Sequence, residues 1–131
     1  MEWKMNRKEI LDKASDLIMN DRAKKHGDIV VNHGNIARLW SAYLTNKTRV
    51  NIPISEQDVA LMLSLFKIGR TQNGNHTDDN YIDGAAYMAI GGEIINIKLN
   101  GHAKEKEKWD DTINDEHKKQ QQANNNHSQD A

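Results

Sequence analysis

A run of apolar residues near the middle of the chain covers most of a helical wheel and constrains the fold more than any other segment. The run follows Ser55, where the acidic residues of "EQD" favour the first turn of a helix. Stepping about 100° per residue over positions 56 to 71 leaves only one narrow sector small or polar. The pattern predicts a central buried helix. Its apolar residues are Val59, Leu61, Met62, Leu63, Leu65, Phe66 and Ile68, and its small or polar ones are Ala60, Ser64, Lys67 and Thr71.

Three further segments show helical periodicity, at about residues 5–21, 32–44 and 79–98. The chain contains a single proline, Pro53, and few glycines before its loops, which favours helix throughout. The last of these segments includes "GAAYMAIGGE", whose small residues would let another helix approach closely. We therefore predict an all-α protein, a compact bundle of four to five helices with a polar C-terminal extension.

Composition changes sharply near the C-terminus. A chain of 131 residues fits one domain with a real core. From residue 102 onward the segment contains almost nothing to bury except Trp109 and Ile113. The prediction is a helical domain over 1–101 and a charged tail over 102–131 that is partly helical to disordered.

Charge and cysteine content exclude several classes of function. Because 18 Lys and Arg residues balance 19 Asp and Glu residues, the chain lacks the broad basic field that binds duplex nucleic acid. The absence of cysteine rules out disulfides and thiolate metal sites. No apolar run is long enough for a bilayer, and "MEWKMNRKE" does not resemble a signal peptide. We expect a cytoplasmic protein with no membrane partner, in the host cell if a phage encodes it.

The segment "HGDIVVNHGNIARLW", residues 26 to 40, is more polar than a helix start requires. His26, Asp28, Asn32 and His33 are candidate ligand-binding residues, because a helix N-terminus there would add free N–H donors for a phosphate. The alternative is that Asp28 and Asn32 serve as turn and cap residues and that both histidines are solvated.

Two cations stand three residues apart on the most apolar predicted helix. A buried cation costs several kcal/mol unless it is paired, so Lys67 requires either a carboxylate from a neighbouring helix or an anionic ligand. Arg70, near the helix end, is a second candidate ligand-binding residue; it could instead favour the C-terminal helix dipole.

A pair of carboxylates opens the last predicted helix. Asp79 and Asp83 are spaced i, i+4 and so share one helix face, with Tyr87 one turn further. Paired carboxylates facing a core suit Mg²⁺, which prefers oxygen ligands and often bridges to phosphate. We predict both aspartates as metal ligands and Tyr87 as ligand-binding. The alternative for Asp79 is an N-cap, which does not explain Asp83 as readily.

Three long motifs resemble a family of small phage and prophage proteins of uncharacterised function. The family pattern is "DR…YGD…NH…IA.LWSAYL", then "DVALMM.LLKIAR", then "H.DS..DIAGYAA…E". This chain reads "DRAKKHGDIVVNHGNIARLWSAYL", "DVALMLSLFKIGR" and "HTDDNYIDGAAYMAIGGE" over residues 21 to 94. It departs from the pattern at His26, where Tyr is usual, at Gly69, where Ala is usual, and in "DGAAY", where the family has "DIAGY".

That family distantly resembles the all-α nucleotide pyrophosphohydrolases of the MazG and dUTPase type. The resemblance implies a helical bundle whose carboxylates hold Mg²⁺. Those enzymes carry an ExxE pair on one helix and an ExxD pair on the next. This chain has Lys67 where an acid would be expected, and Asp83 matches the ExxD aspartate best.

Three functions remain open at this point. The first is a Mg²⁺-dependent (d)NTP pyrophosphohydrolase, in which Asp83 and Lys67 would be catalytic: Asp83 would hold the metal and Lys67 would stabilise the developing charge on the phosphate. The second is a non-catalytic nucleotide-binding protein that sequesters its ligand, and the third is an inhibitor of a host protein. In each case we expect a homo-oligomer, because the small core leaves apolar helix faces to be covered.

Overall fold

The chain is built from helices joined by short loops. The computed structural model describes residues 5–22 and 28–129. Within those ranges no strand occurs, and no helix is apolar over enough of its length to cross a bilayer. The prediction of an all-α protein is confirmed. The helices are α1 (Arg7–Asp16), which continues into a π-helical segment (Leu17–Arg22), α2 (Ile29–Thr48), α3 (Glu56–Arg70) and α4 (Asp78–His127).

Local capping explains where α1 and α3 begin. Asn6 accepts a hydrogen bond from the backbone N–H of Glu9, and the Glu9 side chain accepts one from the Asn6 N–H. Ser55 and Asp58 form the same reciprocal pair at the start of α3. Each capping box satisfies two backbone donors that a helix N-terminus otherwise leaves without a partner.

The chain divides into two units, Met1–Ile95 and Asn96–Ala131. Every buried residue in the described part of the chain belongs to the first unit. In the second unit α4 continues to His127, and residues 99–129 are exposed. The segment predicted as a partly helical to disordered tail lies in this second unit and is helical as far as His127.

The core of the first unit gathers around α4. Ala14 of α1 packs with Ile82 and Ala86 of α4. Ala60 of α3 packs with two further α4 residues, Ile90 and Ile94, which are fully buried. These two clusters hold α1 and α3 against α4, and the packing of α3 on α4 positions the candidate site.

Helices α3 and α4 approach closely through small residues. A Cβ atom added at Gly91 would lie 3.4 Å from the Cβ of Ala60, and one added at Gly84 would lie 3.6 Å from the Cβ of Lys67. The hydroxyl of Ser64 donates a hydrogen bond of 3.1 Å to the carbonyl oxygen of Gly84. The prediction that the small residues of "GAAYMAIGGE" admit a neighbouring helix is confirmed.

The prediction that α3 is a central buried helix is wrong in one respect. Val59, Ala60 and Ser64 are its buried residues, while Leu65 remains 63% exposed. Because Ala60 and Lys67 lie against Gly91 and Gly84 of α4, four of the large side chains lie away from this contact and are exposed. The exposed large residues of α3 are Met62, Leu65, Phe66 and Ile68.

Candidate functional site

A polar cleft of about 750 Å³ opens where α3 ends and α4 begins. The volume falls within the roughly 300–1,000 Å³ typical of small-molecule sites. Four of the predicted site residues line this cleft together: Lys67, Arg70, Asp79 and Asp83. The other lining residues are Phe66, Gly69, Asn73, Asn75, Thr77 and Asn80.

An ion pair joins the two helices at the cleft. The Nζ atom of Lys67 lies 2.7 Å from the Oδ2 atom of Asp83, and their side chains are 14% and 22% exposed. Lys67 therefore has the partner that its position on an apolar helix requires. Gly84, which comes directly after Asp83, lies against Lys67: a Cβ atom added there would be 3.6 Å from the Lys67 Cβ, an ordinary contact distance.

Arg70 is the more accessible cation of the cleft. It is exposed, and its guanidinium carbon lies 5.2 Å from the ring centre of Phe66. Among the residues that the structure describes, no carboxylate lies within 4.0 Å of its nitrogen atoms. The Arg70 guanidinium is therefore free to donate hydrogen bonds to an anion that enters the cleft.

The start of α4 supplies the acidic side. The Thr77 hydroxyl accepts a hydrogen bond of 3.2 Å from the backbone N–H of Asp79, so Thr77 acts as the cap. Asp79 is thus a first-turn residue. The alternative that Asp79 is the N-cap is therefore wrong. Its side chain lines the cleft beside Asn80.

Sequence reasoning missed the contribution of the loop between α3 and α4. Asn73 and Asn75 line the cleft on either side of Gly74, whose φ of 81° lies in the left-handed region that glycine favours. The shortness of this loop could have shown that it contributes to the site. A short loop joining the helices that carry Lys67 and Asp83 must pass close to both, so its amides belong to the same site.

From Asp28 onward, the segment predicted to bind a ligand through its histidines does not line this cleft. Asp28 is the N-cap of α2, and its carboxylate accepts hydrogen bonds from the backbone N–H groups of Val30 and Val31 at 2.8 and 3.0 Å. Asn32 lies in the first turns of α2 rather than in a preceding loop. His33 is buried, with its Nδ1 atom 2.9 Å from the carbonyl oxygen of Ile29.

The cleft lining contains neither Asn32 nor His33, so the two groups of predicted residues lie apart. Asp28 is a cap residue, as the alternative to ligand binding predicted. His33 is buried, whereas that alternative expected it to be solvated. His26 lies outside the described residues. A ligand-binding role for these four positions stays a prediction without support from the cleft.

Replacing Asp28 with alanine should lower the free energy of unfolding by about 1 kcal/mol, because two backbone donors at the start of α2 lose their acceptor. Asp28→Asn keeps an oxygen acceptor and should change stability by only a few tenths of a kcal/mol. Urea unfolding at one fixed protein concentration measures both variants. Equal losses in the two would contradict the capping role.

Tyr87 also stands apart from the cleft lining. It is half-buried and packs against the cluster of Ala60, Ile90 and Ile94. Its predicted role in ligand binding stays a prediction without support from the cleft.

The residues present do not provide a ready magnesium site. Within the described ranges, no three His, Asp or Glu side chains come together as metal ligands do. Asp83 already contacts Lys67, so a cation at Asp83 would have to displace an ammonium group. Magnesium binding by Asp79 and Asp83 stays a prediction.

Comparison with known proteins identifies the chain's relatives. The gene 55 protein of Mycobacterium phage L5 is 35% identical over 81 residues, which is 62% of this chain and 49% of that protein. The gene 55 protein of Mycobacterium phage D29 is 32% identical over 101 residues, covering 77% of this chain and 61% of that protein. The chain thus spans about half to three fifths of these curated relatives. No solved structure matches it.

The profile of a family described as "Domain of unknown function (DUF6378)" matches residues 9–95. That range contains the entire cleft lining, which runs from Phe66 to Asp83. The resemblance to uncharacterised phage proteins is thereby confirmed. Because the match covers well over half of the sequence, the chain belongs to the DUF6378 family, and it is similar to phage proteins of unknown function.

Proposed function

We propose that the protein binds a phosphate-bearing small molecule of the nucleotide class in the cleft between α3 and α4, without hydrolysing it. One observation carries the proposal. The cleft combines the unpaired Arg70 guanidinium with the Lys67–Asp83 pair and with several amides in a volume suited to a small ligand. Arginine presents a planar set of donors that matches phosphate oxygens, so Arg70 is the primary phosphate contact.

The rest of the lining suits the other parts of a nucleotide. Phe66 is 57% exposed and offers a ring surface against which a base can stack. Asn73, Asn75 and Asn80 each offer both a donor and an acceptor for base edges or sugar hydroxyls. The Lys67 ammonium has three N–H donors, so it can donate to the phosphate while Asp83 keeps the ammonium in place.

The ion pair favours binding over hydrolysis. A pyrophosphohydrolase of the MazG type requires carboxylates free to hold Mg²⁺, whereas the Asp83 carboxylate lies 2.7 Å from the Lys67 ammonium. Asp79 alone gives a single acidic ligand. Sequestration of a nucleotide needs only the cations, the amides and the aromatic ring, all of which the cleft has.

Isothermal titration calorimetry with a panel of nucleoside mono-, di- and triphosphates, in buffer containing a chelator, tests the proposal. Arg70→Ala should weaken binding of the nucleotide that binds best by roughly 10- to 100-fold, because one charge-assisted hydrogen-bond donor is lost. Arg7→Ala is the matched control, since Arg7 is an exposed arginine of α1 outside the cleft. It should leave the affinity unchanged.

Two results would contradict the proposal. The first is the absence of heat with every nucleotide at millimolar concentration. The second is release of pyrophosphate from any triphosphate in the presence of Mg²⁺, with loss of that release in Asp83→Asn. That second result would instead establish the hydrolase hypothesis.

A further inference from the structure

We propose that the cleft contains a site of spontaneous covalent modification, at which Asn73 loses its side-chain amide to attack by the backbone nitrogen of Gly74 and becomes aspartate or isoaspartate. The reaction adds a negative charge to the wall of the cleft. The modification itself does not depend on what the cleft binds. Only its effect on ligand affinity rests on the proposed function.

The first argument is the sequence of the loop. An asparagine followed by glycine is the pair in which a backbone nitrogen most readily reaches the side-chain amide, because glycine has no Cβ atom to obstruct the approach. The chain contains this pair twice, at Asn73–Gly74 and at Asn100–Gly101. The two pairs have the same chemistry but different surroundings, so the fold decides which of them reacts.

The loop between α3 and α4 leaves the first pair open to reaction. Both Asn73 and Gly74 are exposed. Within the described ranges, neither the Gly74 N–H nor the Asn73 side-chain amide makes a hydrogen bond. A Cβ atom added at Gly74 would meet nothing within 4 Å, so the backbone has room to rotate as the new bond forms. The nucleophile and the amide are therefore both available.

Helix α4 protects the second pair. Asn100 and Gly101 lie inside α4, where each backbone N–H donates to the carbonyl oxygen four residues earlier. The Gly101 N–H therefore donates to the carbonyl oxygen of Ile97, and the helical ψ angle of Asn100 holds the Gly101 nitrogen away from the side-chain amide. Attack at Asn100 requires the helix to open locally first.

The reaction consumes only water. The Gly74 nitrogen loses its proton to water or hydroxide and bonds to the Cγ atom of Asn73, and the bond from Cγ to the side-chain amide nitrogen breaks. Ammonia leaves, and a five-membered succinimide ring remains. Water then opens the ring at one of its two carbonyl carbons. Opening at Cγ gives aspartate in a normal backbone, whereas opening at the main-chain carbonyl gives isoaspartate, with the chain running through the side chain.

Either product places a new carboxylate in the wall of the cleft. Asn73 lines the cleft three residues after Arg70, the cation proposed to bind phosphate. The lining contains two cations and two carboxylates, so a third carboxylate makes its net charge negative. The new carboxylate also competes with a phosphate for the Arg70 guanidinium. We expect conversion to weaken binding of a phosphate-bearing ligand by roughly 10-fold.

Mass spectrometry of aged protein tests the modification. The purified full chain is kept at mildly alkaline pH and physiological temperature for several weeks and is then digested with trypsin at mildly acidic pH, where the reaction is slow. Cleavage after Arg70 and Lys98 places Asn73 and Asn100 in different peptides. Fragment spectra should show a gain of about 1 Da and isoaspartate at Asn73, and no change at Asn100.

Two controls isolate the cause of the mass gain. Asn73→Gln should show no gain at this position, because a glutamine would have to close a six-membered ring, which forms far more slowly. In a concentration of urea that unfolds the chain, Asn100 should react as fast as Asn73, because the helix no longer protects it. No gain at Asn73 in the folded chain, or equal gains at both asparagines there, would overturn the proposal.

Calorimetry with nucleoside mono-, di- and triphosphates tests the effect on affinity. The aged chain and Asn73→Asp should both bind roughly 10-fold more weakly than the fresh chain, while Asn73→Gln should bind equally before and after ageing. Unchanged affinity in a fully converted chain would overturn the effect on binding and leave the proposed function intact. If the fresh chain binds no nucleotide, the proposed function fails, and the mass gain at Asn73 still decides the modification.

Discussion

Replacing Lys67 with methionine is expected to lower the free energy of unfolding by about 2–3 kcal/mol. Removing one partner of a buried ion pair costs about 3–5 kcal/mol, because the remaining charge keeps its desolvation penalty. The side chains of Lys67 and Asp83 retain 14% and 22% exposure, so water relieves part of that cost. Urea unfolding at fixed protein concentration, monitored by circular dichroism, measures the change.

The protein contains a matched control for this prediction. Lys8 and Asp12 form a pair of 2.6 Å on α1, but their side chains are 82% and 59% exposed. Lys8→Met should cause no measurable loss, since exposed pairs are screened by solvent. The double variant Lys67→Met/Asp83→Leu should recover part of the stability lost in Lys67→Met. Equal losses in Lys8→Met and Lys67→Met would contradict the account.

Replacing Gly91 with leucine, where α3 and α4 meet, is also expected to lower the free energy of unfolding. A methyl group at Gly91 would already lie 3.4 Å from the Cβ of Ala60, which is fully buried. Gly91→Leu adds three further carbon atoms to this contact and must push the helices apart. Overpacking of this kind costs about 1–3 kcal/mol.

At the neighbouring Gly92 we expect leucine to raise the free energy of unfolding rather than lower it. An added Cβ at Gly92 meets nothing within 4 Å, and the residue is exposed. Because leucine favours helix over glycine, Gly92→Leu should raise the free energy of unfolding by about 0.5–1 kcal/mol. Both variants are measured by thermal or urea unfolding. Destabilisation of the same size at both positions would show that helix packing is not the cause.

Helical periodicity predicted the extent of α3 but not which of its residues are buried. Helical periodicity predicted α3 at 56–71, and the structure has it at Glu56–Arg70. The same wheel could not show which sector meets α4, because that depends on the glycines of α4 and on contacts made 17 to 31 residues away in the chain. The general preference for large side chains in the core therefore held for Val59 but not for Met62, Leu65, Phe66 and Ile68.

The candidate site was predictable in part for a similar reason. Lys67 stands on an apolar helix and needed a partner, and Asp83 stands on another without a capping role. The sequence therefore predicted both residues as site residues, but it did not predict their 2.7 Å contact. The sequence shows that the Lys67 charge needs a partner. Only the packing of α3 on α4 shows that the partner is Asp83.

His33 illustrates the opposite error. The sequence placed the start of α2 near residue 32, whereas capping by Asp28 starts it at Ile29. That shift moves His33 from an opening turn into the helix, where it is buried. An error of three residues in the helix start therefore hid the burial of His33.

The central claim is that the cleft between α3 and α4 receives a phosphate-bearing ligand. The most direct measurement is a titration of the isotope-labelled full chain with a nucleoside triphosphate in chelator-containing buffer, followed by backbone amide NMR shifts. We predict saturable shifts concentrated between Phe66 and Asp83, which in Arg70→Ala should need a roughly 10- to 100-fold higher ligand concentration and in Arg7→Ala should be unchanged. Saturable shifts centred on residues 26 to 33, or no shifts at millimolar ligand, would contradict it.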